Sequence, residues 1–166
     1  MSFEQFKTEF SSRTEGLIIK WAKESYVPPI PVYIIPDEKL DPYRVGAFYV
    51  REGWCHSGVK GPAVVFPEGY LRDLYQAAAT KDMLEDLWTV LKWTSGHEFG
   101  HHISLLEVAG LLFPGPVARK SREVSASAYA LALSGISKLE HNALFKDIMG
   151  KPPRIYVREK YRGRAA

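Results

Sequence analysis

Three of the five histidines of this chain, His97, His101 and His102, fall within the stretch Trp93-Thr-Ser-Gly96-His97-Glu98-Phe99-Gly100-His101-His102. Residues four apart share one face of a helix, so His97 and His101 would stand about 6 Å apart along its axis. Two imidazoles so placed can bind one zinc ion, Zn2+. Glu98 is rotated by about 100 degrees from His97. A carboxylate there reaches a metal-activated water without ligating the metal, the placement of a general base beside a Lewis acid. The surrounding helix is otherwise almost entirely apolar, and burying such a polar trio without partners is costly. A bound metal removes that cost. Gly96 and Gly100 each disfavour a helix interior by roughly 1 kcal/mol. They are explained where a ligand or another backbone comes close.

A catalytic zinc takes three protein ligands and leaves a position for water. Three residues are candidates for the third. Glu107 is six residues beyond His101, about 9 Å further along and some 240 degrees round, so it reaches the metal only if the helix breaks. Ser104 and Glu107 also stand where the metzincin pattern would have Gly and His or Asp. His56, beside Cys55, would have to fold in from elsewhere. Glu123 is favoured, because Ala126 and Ala130 follow it at i+3 and i+7 on the same helical face. A stripe of small residues lets a second helix approach closely enough for a short carboxylate to reach the ion.

The run His97-Glu98-Phe99-Gly100-His101, followed by a helix opening with Glu123 and carrying Ala126, resembles the gluzincin zinc peptidases. The longer match through Tyr129 and Ala130 is similar to the ImmA/IrrE-type metallopeptidases and the small archaeal minigluzincins, over roughly residues 60–135. The resemblance implies a zinc-dependent metallopeptidase, with His97, His101 and Glu123 as ligands and Glu98 as catalytic base. It also implies that strand 62–67 edges the cleft, where a peptide substrate adds as a further strand. By the same likeness His102 packs behind the site and Tyr129 is a core aromatic. No matched residue stands out as stabilising the oxyanion.

The elements that must position these residues follow from patterning. Residues 2–25 predict an amphipathic helix with a capping box from Ser2 to Gln5 and with Phe3, Phe6, Phe10, Leu17 and Trp21 on one face. Pro28 and Pro29 end it. Three β-branched and aromatic runs, 31–36, 45–50 and 63–66, predict a small, mainly antiparallel three-stranded sheet. A short helix is expected over 69–79. A long, central helix should run from about Thr80 to Gly110, with Met83, Leu84, Leu87, Leu91 and Leu105 marking its apolar side. After the Pro114-Gly115-Pro116 break, 117–134 predicts the glutamate helix, and helix resumes to Met149. The order of elements is that of an α+β fold.

With 166 residues and 46% apolar content, the chain reads as one packed domain over 1–150 rather than a disordered polymer. The net charge of +3 is uneven. Residues 151–166 carry six cations against one acid, Glu159, a balance of +5, so residues 1–150 carry −2. The basic segment is expected to be a solvated, partly disordered tail, and the domain itself shows no charge argument for nucleic acid. An alternative reading keeps a non-catalytic or latent zinc protein with a regulatory role, binding nucleic acid or a partner through that tail. No apolar run approaches the roughly 20 residues that cross a bilayer. The opening residues do not read as a secretory signal, and the single Cys55 precludes an intrachain disulfide. A cytoplasmic home is therefore expected. A chain of this size lacks an evident second lobe, so a homodimer or another partner is expected to complete the cleft around a peptide or protein substrate.

Glu123→Ala should weaken zinc affinity at least about tenfold, read by chelator competition, and Glu107→Ala should leave it unchanged. The reverse outcome would place a helix break after His101.

Overall fold

The computed structural model describes residues 1–107 and 116–165, with side chains for 1–104 and 121–164. Helix α1 (Phe3–Glu24) opens on the expected capping box, Ser2 and Gln5 exchanging side chain-to-backbone hydrogen bonds of 2.7 and 3.2 Å. Its buried stripe is Phe6, Phe10, Thr14, Ile18 and Trp21. Phe3 and Leu17 pack at the margin of that stripe. The stripe covers the sheet through Phe10, edge-on to Phe66 at 4.8 Å, and covers the central helix through Trp21, stacked on Phe99.

Strands β1 (Val32–Ile35), β2 (Phe48–Val50) and β5 (Ala63–Pro67) form a three-stranded sheet in the order β1-β5-β2. In the chain between β2 and β5, a separate two-stranded hairpin forms, β3 (Cys55–His56) with β4 (Val59–Lys60). The sheet is mixed rather than mainly antiparallel. β5 pairs antiparallel with β2, Tyr49 opposite Val64, and parallel with β1, Val32 also opposite Val64. Every residue of β5 is buried. Of the three strands it alone is buried along its whole length, as its central place requires. The long excursion over residues 36–62 supplies the crossover that a parallel return requires. The expectation that strand 62–67 edges the cleft is therefore overturned. β5 has partners on both sides, and β2 is the strand on the site's side.

Helix α2 (Glu68–Thr80) follows β5 directly. A turn through Lys81 and Asp82, the latter at φ 56°, precedes α3 (Leu84–Glu107). The helix begins slightly later than expected and continues as helix through Glu107. The side chains of Leu105 and Glu107, the expected limit at Gly110 and the Pro114-Gly115 break lie outside the described residues. Helix α4 (Pro116–Ser134) ends at Gly135, whose φ of +75° closes it. α5 (Lys138–Met149) is capped by Ser137 and terminated by left-handed Gly150. α3 lies in the middle. α1, α2, α4, α5 and the sheet all pack on it, burying Leu87, Val90, Leu91, Phe99 and Ile103.

The basic segment is ordered, not free. It forms α6 (Pro153–Ala165), anchored by Tyr156, which packs against Tyr70 and Phe145. The Tyr156 hydroxyl donates to Asp73 at 2.8 Å. Lys160 pairs with Asp73 at 2.7 Å and Arg164 with Asp37 at 3.3 Å. One buried aromatic and two ion pairs to the domain hold a helix whose charge pattern alone suggested solvation. No helix among the described residues is long and apolar enough to cross a membrane.

α5 contributes His141, 4% exposed, which stacks on Trp93 of α3 at 4.1 Å and lies 3.3 Å from the Thr94 hydroxyl. Burial pushes its imidazole down to about 4. A histidine lowered in this way stays neutral in the fold while the unfolded chain binds a proton. Its contribution is intact above the ordinary value of about 6.5 and is lost as pH falls from there toward 4. Between pH 7 and 4.5 it should remove about 2–3 kcal/mol of unfolding free energy. His141→Phe, which keeps the stack, should flatten that decline in urea titrations at the two pH values. Equal declines in both proteins would assign the acid sensitivity to other groups.

Candidate metal centre

Helix α3 carries Trp93, His97 and His101 at successive four-residue intervals, one continuous stripe. Facing it, α4 presents Glu123, Ala126, Ser127 and Ala130. The two backbones meet at the glycines. A β-carbon at Gly100 would lie 2.8 Å from Tyr129 Cβ and 2.9 Å from the Ala126 carbonyl, and one at Gly96 would lie 3.3 Å from Ala130 Cα. Ala126 and Ala130 are fully buried. The small residues on both helices thus have one common cause, a helix pair closer than larger side chains permit.

That approach brings Glu123 onto the histidine stripe. Its Oε2 lies 3.2 Å from His97 Nε2 and its Oε1 lies 3.4 Å from His101 Nε2. One ligand atom from each of the three residues lies within 4.8 Å of the other two, so this trio can hold a metal ion. The two imidazole rings stand edge to face at 4.9 Å. His97 Nδ1 is 3.4 Å from Ser127 Oγ, and its ring stacks on Trp93 at 5.0 Å. Tyr49 of β2 lies parallel to the His101 ring at 6.4 Å. Each imidazole is therefore oriented by an aromatic face, and His97 also by a hydroxyl beside its far nitrogen, an arrangement that fixes tautomers in metal sites.

The carboxylates of the site are pushed in opposite directions. Hydrogen bonding from His101, then from His97, holds Glu123 well below the usual carboxylate range. Burial raises Glu98, which is 8% exposed, and the positive influence of His97 and His101 only partly offsets that. Burial pulls His101 down, but its hydrogen bond to Glu123 and the charge of Glu98 outweigh this, leaving it above the ordinary value. The result is one acid held ionised against two imidazoles and a second, adjacent acid displaced toward neutrality, the separation that hydrolytic sites use to divide roles.

Other expected residues stand apart from the trio. His56 lines the same cleft but pairs with Asp41 at 3.9 Å. Cys55 is exposed. His102 is buried behind the site with Nδ1 2.9 Å from the Tyr49 hydroxyl, and burial lowers its imidazole. Tyr49 thereby connects His102 to the face of His101, and burial pushes its own hydroxyl up to about 12. The site opens into a cleft of about 710 Å³ between α3, α4 and β2. Its walls include residues that the sequence alone did not single out, Arg44, Tyr49, Arg51, Trp54 and Arg122. Trp93 and Ser127 were in principle readable, at four-residue spacing from His97 and Glu123. Arg44 and Tyr49 had no such signal, since strand pairing alone brings them across from α3.

No protein-family model, curated protein or solved structure matches this chain.

Gly100→Ala should destabilise the fold by about 1–3 kcal/mol through overpacking. It should also weaken zinc binding, because α4 must shift away from the histidines. Gly16 in α1 has open space around it. Gly16→Ala should stabilise by about 0.5–1 kcal/mol with no change in zinc affinity. Paired thermal unfolding with and without zinc tests both. A Gly100→Ala protein with undiminished zinc affinity would show that the close approach does not govern the site.

Proposed function

We propose that the chain is a zinc-dependent metallopeptidase of gluzincin type, with His97, His101 and Glu123 holding the metal and Glu98 acting as general base. The observation that carries this reading is the convergence of two imidazoles and a carboxylate from separate helices, ligand atoms within 4.8 Å, beside a buried second carboxylate at the head of a cleft. Two nitrogens and one carboxylate oxygen are a donor set that zinc accepts. Among the described residues the group supplies three ligands rather than the four that close a structural site. When bound, zinc supplies Lewis acidity that polarises a scissile carbonyl and acidifies water.

The chain's own residues supply the rest. Glu98 takes a proton from the attacking water and returns it to the leaving amine. Its burial favours that cycle, since a base raised toward neutrality both accepts and releases a proton readily. Trp93 and Tyr49 hold the imidazole planes, and Ser127 orients His97. β2 leaves one edge without a strand partner among the described residues, and its Phe48 and Tyr49 line the cleft. An extended peptide can pair with that edge, which places its backbone along the site. Among the described residues, none of α6 lines the cleft.

Glu98→Gln should keep about one zinc per chain and lose at least about a hundredfold in peptide hydrolysis. Elemental analysis and a quenched-fluorescence peptide library measure the two quantities. Chelation should abolish hydrolysis by the wild-type protein, and added zinc should restore it. A Glu98→Gln protein that loses its metal would make Glu98 a ligand. A zinc-loaded wild type that cleaves no peptide would leave a non-catalytic metal protein.

A further inference from the structure

The walls of the cleft carry three guanidinium groups, Arg44, Arg51 and Arg122, close to the candidate metal trio. None of the three has an ion pair among the described residues. The arginine pairs lie elsewhere, at Arg13, Arg72 and Arg164. The carboxylates lining the cleft are Glu98 and Glu123, and neighbouring Asp41 and Glu52 do not line it. A divalent cation would balance Glu98 and Glu123, which leaves the three arginines as uncompensated charge in a recess. Such a recess concentrates anions.

The arginines are also held in poses suited to a carboxylate. Arg51 lies over the Trp54 ring at 3.7 Å and Arg44 over the Phe48 ring at 4.7 Å. An aromatic ring beside a guanidinium restricts its positions without using its N–H donors, which bidentate pairing with a carboxylate needs. Arg44 is anchored through its backbone, its N–H donating to the Asp41 carbonyl at 2.9 Å and its carbonyl accepting from Arg164 of α6. Its Nε is buried without a hydrogen-bond partner. The positions are near the reacting centre. Arg122 adjoins Glu123 in sequence, and Arg44 lines the same cleft as Glu98.

We infer that the cleft selects peptides bearing a carboxylate beside the scissile bond, gripped by Arg44, Arg51 and Arg122. The inference rests on the peptidase reading above and deepens it by naming the substrate class. The carboxylate has two sources, an aspartate or glutamate side chain and the C-terminus of the peptide.

The test separates binding from hydrolysis. Zinc-loaded E98Q protein is titrated by calorimetry with capped hexapeptides that differ only in Glu against Gln at each position, and with matched free-acid and amide C-termini. At least one acid form should bind about tenfold more tightly than its amide, the effect of a charge-assisted hydrogen bond pair. That preference should shrink between about 50 and 300 mM NaCl. R51Q and R122Q, both at partly exposed positions, should each reduce the acid-to-amide ratio. The position of the preferred acid distinguishes a side chain from the chain terminus. Equal affinity for acid and amide at every position, no binding of any peptide, or a ratio unmoved by R51Q and R122Q would each overturn the inference. Hydrolysis of neutral and acidic peptides at equal efficiency would overturn it and leave the peptidase reading standing. Acid-selective binding to a wild type that cleaves nothing would overturn the peptidase reading and leave the anionic-peptide site.

Discussion

At Gly100 an added β-carbon would sit 2.8–2.9 Å from the Tyr129 side chain and the Ala126 carbonyl, and that exclusion sets how near helix α4 lies to helix α3. Glutamate has a short reach. The smaller the side chains at a helix contact, the nearer the axes lie, and the nearer Glu123 comes to the imidazoles on the opposing helix. With glycine and alanine at the contact, its two oxygens stand 3.2 and 3.4 Å from them. The same contact buries Ala126 and Ala130 and fixes where Ser127 meets His97. Packing and chemistry are thus one constraint. The residues that cost α3 helical propensity are the ones that let the site assemble.

The polarity of α3 follows from where that contact lies. Upstream, Leu87, Val90 and Leu91 are buried among apolar neighbours. From His97 onward the helix interleaves core residues, Phe99 and Ile103, with polar ones facing α4 and β2. Each histidine has a named partner: His97 and His101 have Glu123, and His102 has Tyr49. Glu98 is the exception in kind. It is buried beside charges that favour its ionised form, yet its burial prevails, and it lines the cleft.

The sheet supplies the opposite wall. β5, buried along its whole length, is central, and β2 lies on the α3 side with Tyr49 against His101. The loops on either side of β2 carry Arg44 and Arg51, each lying over an aromatic ring. A mixed sheet, rather than an antiparallel meander, is what brings these cations and Tyr49 to the His97, His101 and Glu123 trio.

Much was determined by sequence alone because it depends on local spacing. The capping box at Ser2, the period of α1, the extent of α2, the end of α5 at Met149, and the shared face of His97 and His101 are all set by residues within a few turns of one another. Glu123 was legible at longer range because the requirement for close approach writes itself into both helices, as Gly96 and Gly100 on one and Ala126 and Ala130 on the other. Other features required the tertiary structure. Strand order was hidden because a parallel and an antiparallel neighbour demand the same β-branched residues. The direction depends on the excursion between strands, not on the strands. The ordering of α6 was hidden because Tyr156 is a single anchor in a run of cations, and its partners Asp73 and Asp37 lie far away in sequence. Tyr49 and Arg44 were hidden for the same reason. Nothing in their local spacing refers to α3, and their place beside the site exists only once β2 has paired with β5.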